Sequence, residues 1–449
     1  MAIKIDFLKS QVDERSKKLG KNTLLLIVCQ VVGIVVSFLI VPLTLNHLGV
    51  SEYGIWITLV GIIEWFNFFD IGLGHGLRNK YAEAKAKNEY DDLKKYVSTT
   101  FFMMLIISVS IFLLFSAVTH FVEWSVVLNA PSELGYTLKN LSIILIGMFC
   151  IRFVVNLISV LLTADQNPAI PAIITASGSL LSLGLILMLI YSNKVNLITL
   201  GICMSISQLL PLVFAYFYFF KGIYNSVTPK IIHFSRKHLN EIFSFGGKFF
   251  LIQITALLLL QSNNIIIAQV CGLKEVTSFN IGMKYFNVLN TLFMTMVGPL
   301  WSATTDAYFK KDFDWIKKTY RKFDFLWYFL FACGIIMFFL SGFAYKIWLG
   351  NKISPDYLLM ILLLLNILFL MRSTLFRSFM NGVGKIKLQF LVTFVQSLLH
   401  IPVIIFLGKF YGIYGIVFVM FTWNFINSIW EYKQYKLILN NKATGLWNK

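Results

Sequence analysis

Charge is scarce in this chain. Only 13% of its 449 residues are Asp, Glu, Lys or Arg, and the acidic share is the smaller, 21 against 39 basic residues. A water-soluble chain carries about a quarter charged residues, so there is too little polar surface to wrap a globule in water, and the bilayer must solvate much of it. Polar stretches are short as well, which leaves no room for an extramembrane enzyme domain. The five cysteines, Cys29, Cys150, Cys203, Cys271 and Cys333, are odd in number, make no CxxC pair and lie in or beside apolar segments. Neither a disulfide framework nor a zinc site is expected. Catalytic signatures are missing too. There is no GxGxxG, P-loop, HExxH or GxSxG, and His47, His75, His120, His233, His238 and His400 are scattered. The chain is read as a non-enzyme with no cofactor and no metal, whose work, if driven, draws on an ion gradient, a membrane potential or downhill use of product.

What the chain has in abundance is long apolar runs. Segments near 22–45, 54–73, 97–121, 138–162, 170–191, 197–220, 243–268, 277–300, 324–345, 357–380, 388–407 and 413–432 are of spanning length, so an all-α membrane protein of about twelve transmembrane helices is expected. The second and eighth are interrupted by polar residues. Basic residues divide sharply between the two sides: 28 lie in the terminal segments and one set of loops, 5 in the opposite loops and 6 within the spans or at their ends. This positive-inside pattern puts both termini in the cytoplasm. The net charge of +18 is therefore a topology signal, and no nucleic-acid partner is implied.

Five regions are expected: a basic N-terminal segment 1–21, a first six-helix bundle 22–220, a cytoplasmic linker 221–242, a second bundle 243–432 and a cytoplasmic tail 433–449. Residues 1–21 have no cleavage site and can form an in-plane interfacial helix. The bundles read as a repeat. LGVSEYGIW follows span one and CGLKEVTSF follows span seven, with Gly49 and Gly272 at matching positions. Six spans per half make the halves parallel, an arrangement that encloses a central cavity.

Charged side chains at hydrocarbon depth cost about 2.5–3.5 kcal/mol even on lenient insertion scales, so they mark function by default. Lys284 lies on one helical stripe with Asn280, Asn287 and Thr291 in span eight, Arg152 lies in span four, and Arg372 and Arg377 lie in span ten. Ammonium and guanidinium groups among amides suit phosphate oxygens and sugar hydroxyls. Lys284, Arg152, Arg372, Arg377, Asn280 and Asn287 are therefore the candidate substrate contacts. Glu64 and Asp70 in span two are candidates for ion coupling; Glu64 can instead pair with Arg152, and Asp70 with Arg78. No catalytic residue is assigned. Amides in such bundles also serve as glue between helices.

At LGVSEYGIW and the following WFNFFDIGLGHGLRNKYAEA, the chain resembles the Wzx-type O-antigen and polysaccharide flippases of the multidrug/oligosaccharidyl-lipid/polysaccharide exporter superfamily. The residues that carry the likeness are Leu48, Gly49, Tyr53, Gly54 and Trp56, then Asp70, Gly72, Leu73, Arg78 and Asn79. The resemblance implies a MATE-like pair of six-helix bundles around a cationic cavity. It also implies passage of an undecaprenyl-pyrophosphate-linked oligosaccharide, an O-antigen or capsule repeat unit, across the bacterial inner membrane. Membrane lipids and glycan polymerase machinery would be its partners. Rival readings are a lipid II or teichoic-acid exporter and a multidrug antiporter of the same superfamily. A glycan polymerase is a further rival, although it would need a large outer loop that this chain lacks.

Overall fold

A computed structural model describes residues 2–66, 72–165, 167–243, 262–298, 300–350 and 352–448. Backbone groups in hydrocarbon have no water to bond, so an apolar chain of this kind satisfies them within helices. The described residues are accordingly helical and hold no strand. In chain order the helices are α1 (Ala2–Glu64), α2 (Leu73–Ala86), α3 (Tyr90–Val118), the short α4 (Trp124–Val127), α5 (Gly135–Val155), α6 (Leu157–Ala164), α7 (Ala169–Tyr191) and α8 (Leu197–Lys221), then α9 (Asn263–Val270), α10 (Leu273–Val297), α11 (Leu300–Phe309), α12 (Phe313–Leu349), α13 (Tyr357–Val383) and α14 (Lys387–Leu439).

Eight helical stretches among the described residues are long and apolar enough to cross a membrane. Two of them are each a pair of helices joined at one glycine. Gly49 takes φ 81°, ψ 170° inside α1, and Gly412 takes φ 58°, ψ −144° inside α14. Side chains with a Cβ rarely adopt either conformation. The loops expected between spans one and two, and between eleven and twelve, are thus reduced to kinks. Backbone helix also begins at Ala2 and runs on into the first span. The expected eighth span is α10. It stays outside the eight because Asn280, Lys284, Asn287 and Asn290 lower its hydropathy. The expected seventh span lies largely outside the described residues, as do Asp70, Gln253, Gln261 and Pro299; its end is α9.

The chain packs as two compact units, residues 1–49 with 62–253, and residues 50–61 with 254–449. In the first, Leu77 of α2, Val97 of α3, Leu141 and Ile146 of α5 and Ile158 of α6 are fully buried. In the second, α13 is the central helix. Leu363, Ile367, Leu368, Met371, Leu375 and Phe379 lose all contact with the surroundings, as expected for a helix apolar all round. Lipid tails are as apolar as leucine, so close packing and interhelical hydrogen bonds hold such a bundle. Small residues permit the approach. A Cβ on Gly282 of α10 would lie 2.5 Å from Leu363, and one on Gly334 of α12 would lie 2.6 Å from Leu364.

The matching glycines of the sequence repeat share a backbone conformation. Gly49 has φ 81°, ψ 170° and Gly272 has φ 99°, ψ 166°. Five residues beyond each stand Gly54 and Thr277, and the two meet within the second unit. The Thr277 hydroxyl donates to the Val50 carbonyl at 2.7 Å. A Cβ on Gly54 would lie 2.3 Å from the Leu273 carbonyl oxygen, so any larger residue there forces the helices apart.

Candidate functional site

Three of the six predicted contact residues lie on α10, and the structure uses them differently. The Asn280 amide donates to Asn264 Oδ1 and to the Val276 carbonyl, each at 2.8 Å. It clasps α10 to α9, the bland role expected of a membrane amide. Lys284, one turn further, is half-buried. Asn287 is exposed and accepts from Asn290 at 3.1 Å. A second amide pair, missed by sequence reasoning, crosses from α14 to α13: Asn424 donates to Asn366 Oδ1 at 2.8 Å, and Asn366 is 2% exposed.

The two arginines of α13 differ in their partners. Arg377 donates from Nε to Glu431 Oε1 at 3.1 Å and from Nη2 to Ser373 Oγ at 3.0 Å. Ser373 in turn donates to Glu431 Oε2 at 2.5 Å. Glu431 is fully buried, and a lone carboxylate there would be very costly, so the arginine and the hydroxyl between them bond both of its oxygens. The sequence offered Arg377 as a candidate substrate contact and gave no sign of Glu431 as its partner.

Arg372 is held more loosely. Its Nε lies 3.6 Å from Asp324 Oδ1, too far for a hydrogen bond, and both atoms are buried with no hydrogen-bond partner. Its guanidinium instead rests 4.9 Å from the Trp327 ring centre and 5.3 Å from that of Tyr432. Such cation–π contacts contribute about 0.5–2 kcal/mol each. The Trp327 indole N–H donates to the Leu368 carbonyl at 2.7 Å, which fixes the face on which the arginine lies. The side chain keeps 20% of its surface exposed. Asp324, like Glu431, is an acid that the sequence reading passed over. It stands in RKFDFLW, where it reads as the polar end of a span.

In the first unit, Arg152 in the last turn of α5 acts electrostatically on Glu64 at the end of α1. Both side chains are exposed. An apolar cavity of 460 Å³ between α3 and α5 is lined by Ser108, Phe112, Gly147, Cys150 and their neighbours, and Arg152 is not among its lining residues. Asp165, after α6, accepts from Lys85 at 2.6 Å and from the Tyr224 hydroxyl at 2.8 Å.

Two relatives are similar along most of the chain. A Yersinia pseudotuberculosis protein named for O-antigen export is 23% identical over 376 residues, covering 80% of this chain and 82% of that protein. A Salmonella typhi protein named as an O-antigen transporter is 22% identical over 402 residues, covering 85% and 88%. Solved structures share the fold. An inward-facing multidrug-resistance MATE family transporter of the MOP superfamily superposes with a TM-score of 0.75 at 14% identity, over 92% of this chain and 94% of that one. A MOP superfamily transporter from Pyrococcus furiosus, described by the reverse polarity of its binding pocket, has a TM-score of 0.65 at 14% identity, over 95% and 96%. The fold is therefore that of the MATE transporters, in a multi-pass membrane protein. The model of one family, described as polysaccharide biosynthesis protein, matches residues 19–303, and the chain belongs to that family.

Proposed function

We propose that the protein translocates an undecaprenyl-pyrophosphate-linked oligosaccharide, an O-antigen or capsule repeat unit, from the cytoplasmic to the outer leaflet of the bacterial inner membrane by alternating access. Both termini lie in the cytoplasm. Relatives named for O-antigen export and transport support the cargo class, and the absence of catalytic signatures in the sequence favours transport over glycan polymerisation. The observation that carries the reading is Arg372. A guanidinium at span depth is held by two ring faces, with its Nε free of hydrogen bonds. It is set to receive a phosphate oxygen, which binds its planar fork better than a distant carboxylate does. Lys284 and Arg152 are the further cargo contacts, with Asn287 beside Lys284. Arg377 and Asn280 hold neighbouring helices in place. Glu64 is the acid through which an ion gradient would couple; Asp70, the other candidate, lies outside the described residues. Cations at these depths disfavour a cationic drug as cargo, and glycan polymerase machinery would take up the translocated unit.

The test is deletion followed by analysis of lipid-linked intermediates, with Lys284→Ala and Arg372→Ala as complementing variants. Complete repeat units accumulating on the inner leaflet are expected. Single units on the outer leaflet would assign the chain to polymerisation. Normal surface polysaccharide in both variants would reject the cation assignment.

A further inference from the structure

The segment after α8 is a folded module with its apolar side chains pointing outward. Tyr224 and Val227 anchor it inward at 3% and 5% exposure. The Lys230 backbone N–H donates to Ser98 Oγ at 3.1 Å, and that of Ser235 donates to Thr99 Oγ1 at 3.0 Å. Ser98 and Thr99 are fully buried on α3, and the ring of His238 lies beneath, bonded to Ser235 and Asp92. These bonds fix a 3₁₀ turn over Ile231–His233. The turn presents Ile231 and Ile232 at 77% and 82% exposure, and Ile223 and Phe234 of the same segment are exposed as well. A loop in water does the reverse and hides such residues.

Charge and depth identify what covers them. Lys221, Lys230, Arg236 and Lys237 of the same segment are exposed, and residues 221–237 contain no Asp or Glu. The last turns of α8 add a groove of 430 Å³ lined by Phe214, Phe217, Tyr218, Lys221 and Gly222. The anchoring residues Ser98 and Thr99 immediately precede the apolar run of α3 that begins at Phe101. The module is thus level with the point where α3 leaves water for hydrocarbon. Apolar side chains and cations in one segment at that depth match the boundary between headgroups and acyl chains.

We propose that residues 214–237 form a binding site for anionic phospholipid at the membrane surface. Ile223, Ile231, Ile232 and Phe234 dip among the acyl chains, and the four cations take lipid phosphates. The site includes none of the candidate cargo contacts and does not depend on what the protein transports.

The test uses the full-length protein in nanodiscs of phosphatidylethanolamine, with and without phosphatidylglycerol. Phosphatidylglycerol should slow hydrogen exchange at residues 231–237 and appear as retained adducts in native mass spectra. Neutralising the cations (K221Q, K230Q, R236Q, K237Q) should abolish that slowing, with the preference for anionic lipid falling roughly fivefold per charge removed, while exchange within α3 stays unchanged. Replacing the two isoleucines (I231S, I232S) should speed exchange in both lipids. Equal exchange with and without phosphatidylglycerol in the unmodified protein would overturn the proposal. So would equal lipid preference in the protein and its charge variant. Fast exchange of the turn in every lipid would leave the face to a protein partner and would also overturn it.

Discussion

Arg372 and Arg377 sit on one helix, five residues apart in sequence, and differ in what holds them. Arg377 commits its Nε to a fully buried carboxylate and an Nη2 donor to the serine that bonds the same carboxylate. Arg372 lies on two aromatic faces beside an acid too distant to bond, with its Nε unmatched. A cation at membrane depth is therefore not a site by itself. What decides is whether its hydrogen-bonding capacity is already taken. On this contrast rests the proposal that Arg372 receives a cargo phosphate while Arg377 ties α13 to α14.

Breaking the committed pair should have the largest effect. Glu431→Ala strands the Arg377 guanidinium, and Arg377→Ala strands a buried carboxylate. Removing one partner of such a pair costs about 3–5 kcal/mol. Both variants should lose folded protein, read as monodisperse yield and melting temperature in detergent. The double variant should recover part of the loss. Equal stability of either single variant and the unmodified protein would remove the distinction between the two arginines.

Arg372→Ala should behave in the opposite way. Its contacts are two cation–π contacts of about 0.5–2 kcal/mol each and a carboxylate held without a hydrogen bond. Folded yield should stay near normal while surface polysaccharide falls at least tenfold. Arg372→Lys should restore only part of the export, because an ammonium lacks the planar fork. A smaller change tests the support. Trp327→Phe keeps a ring under the guanidinium but loses the bond to the Leu368 carbonyl. It should lower stability by about 1–2 kcal/mol and reduce export only modestly. Export as low as in Arg372→Ala would mean that the indole itself contacts cargo.

The sequence made the fold legible through its long apolar runs and the two glycines of the repeat, whose shared conformation matches their shared position. It offered Lys284 and Arg372 as candidates, because cations in apolar runs stand out. It did not disclose the partners. Glu431 lies in WEYKQYK at the very end of the expected span 413–432, yet it reaches back 54 positions to Arg377. Asn366 meets Asn424 across 58 positions. Such pairings are set by which helices pack together, and hydropathy carries no information about that. For the same reason the stripe on α10 looked uniform in sequence, although Asn280 is spent on α9 and Asn287 is exposed.

The smallest expected effect comes from an ion pair of similar chemistry placed in water. Glu83 on α2 accepts from Lys87 at 2.7 Å and from Lys80 at 3.0 Å. Those two hydrogen-bonded ammonium groups hold its carboxyl down to about 2. A carboxyl lowered in the folded state adds stability that is complete above the ordinary carboxylate pKa and is lost only as pH falls through the lowered value. From mildly acidic to neutral pH the contribution is therefore constant. It is also slight, because exposed pairs are screened and must order long side chains. Glu83→Gln should leave the melting temperature and the surface polysaccharide unchanged across that range. If it destabilised the protein as much as Glu431→Ala does, hydrogen-bond commitment alone, without burial, would account for the contrast between the two arginines, and Arg372 would have to be judged by its bonds and not by its depth.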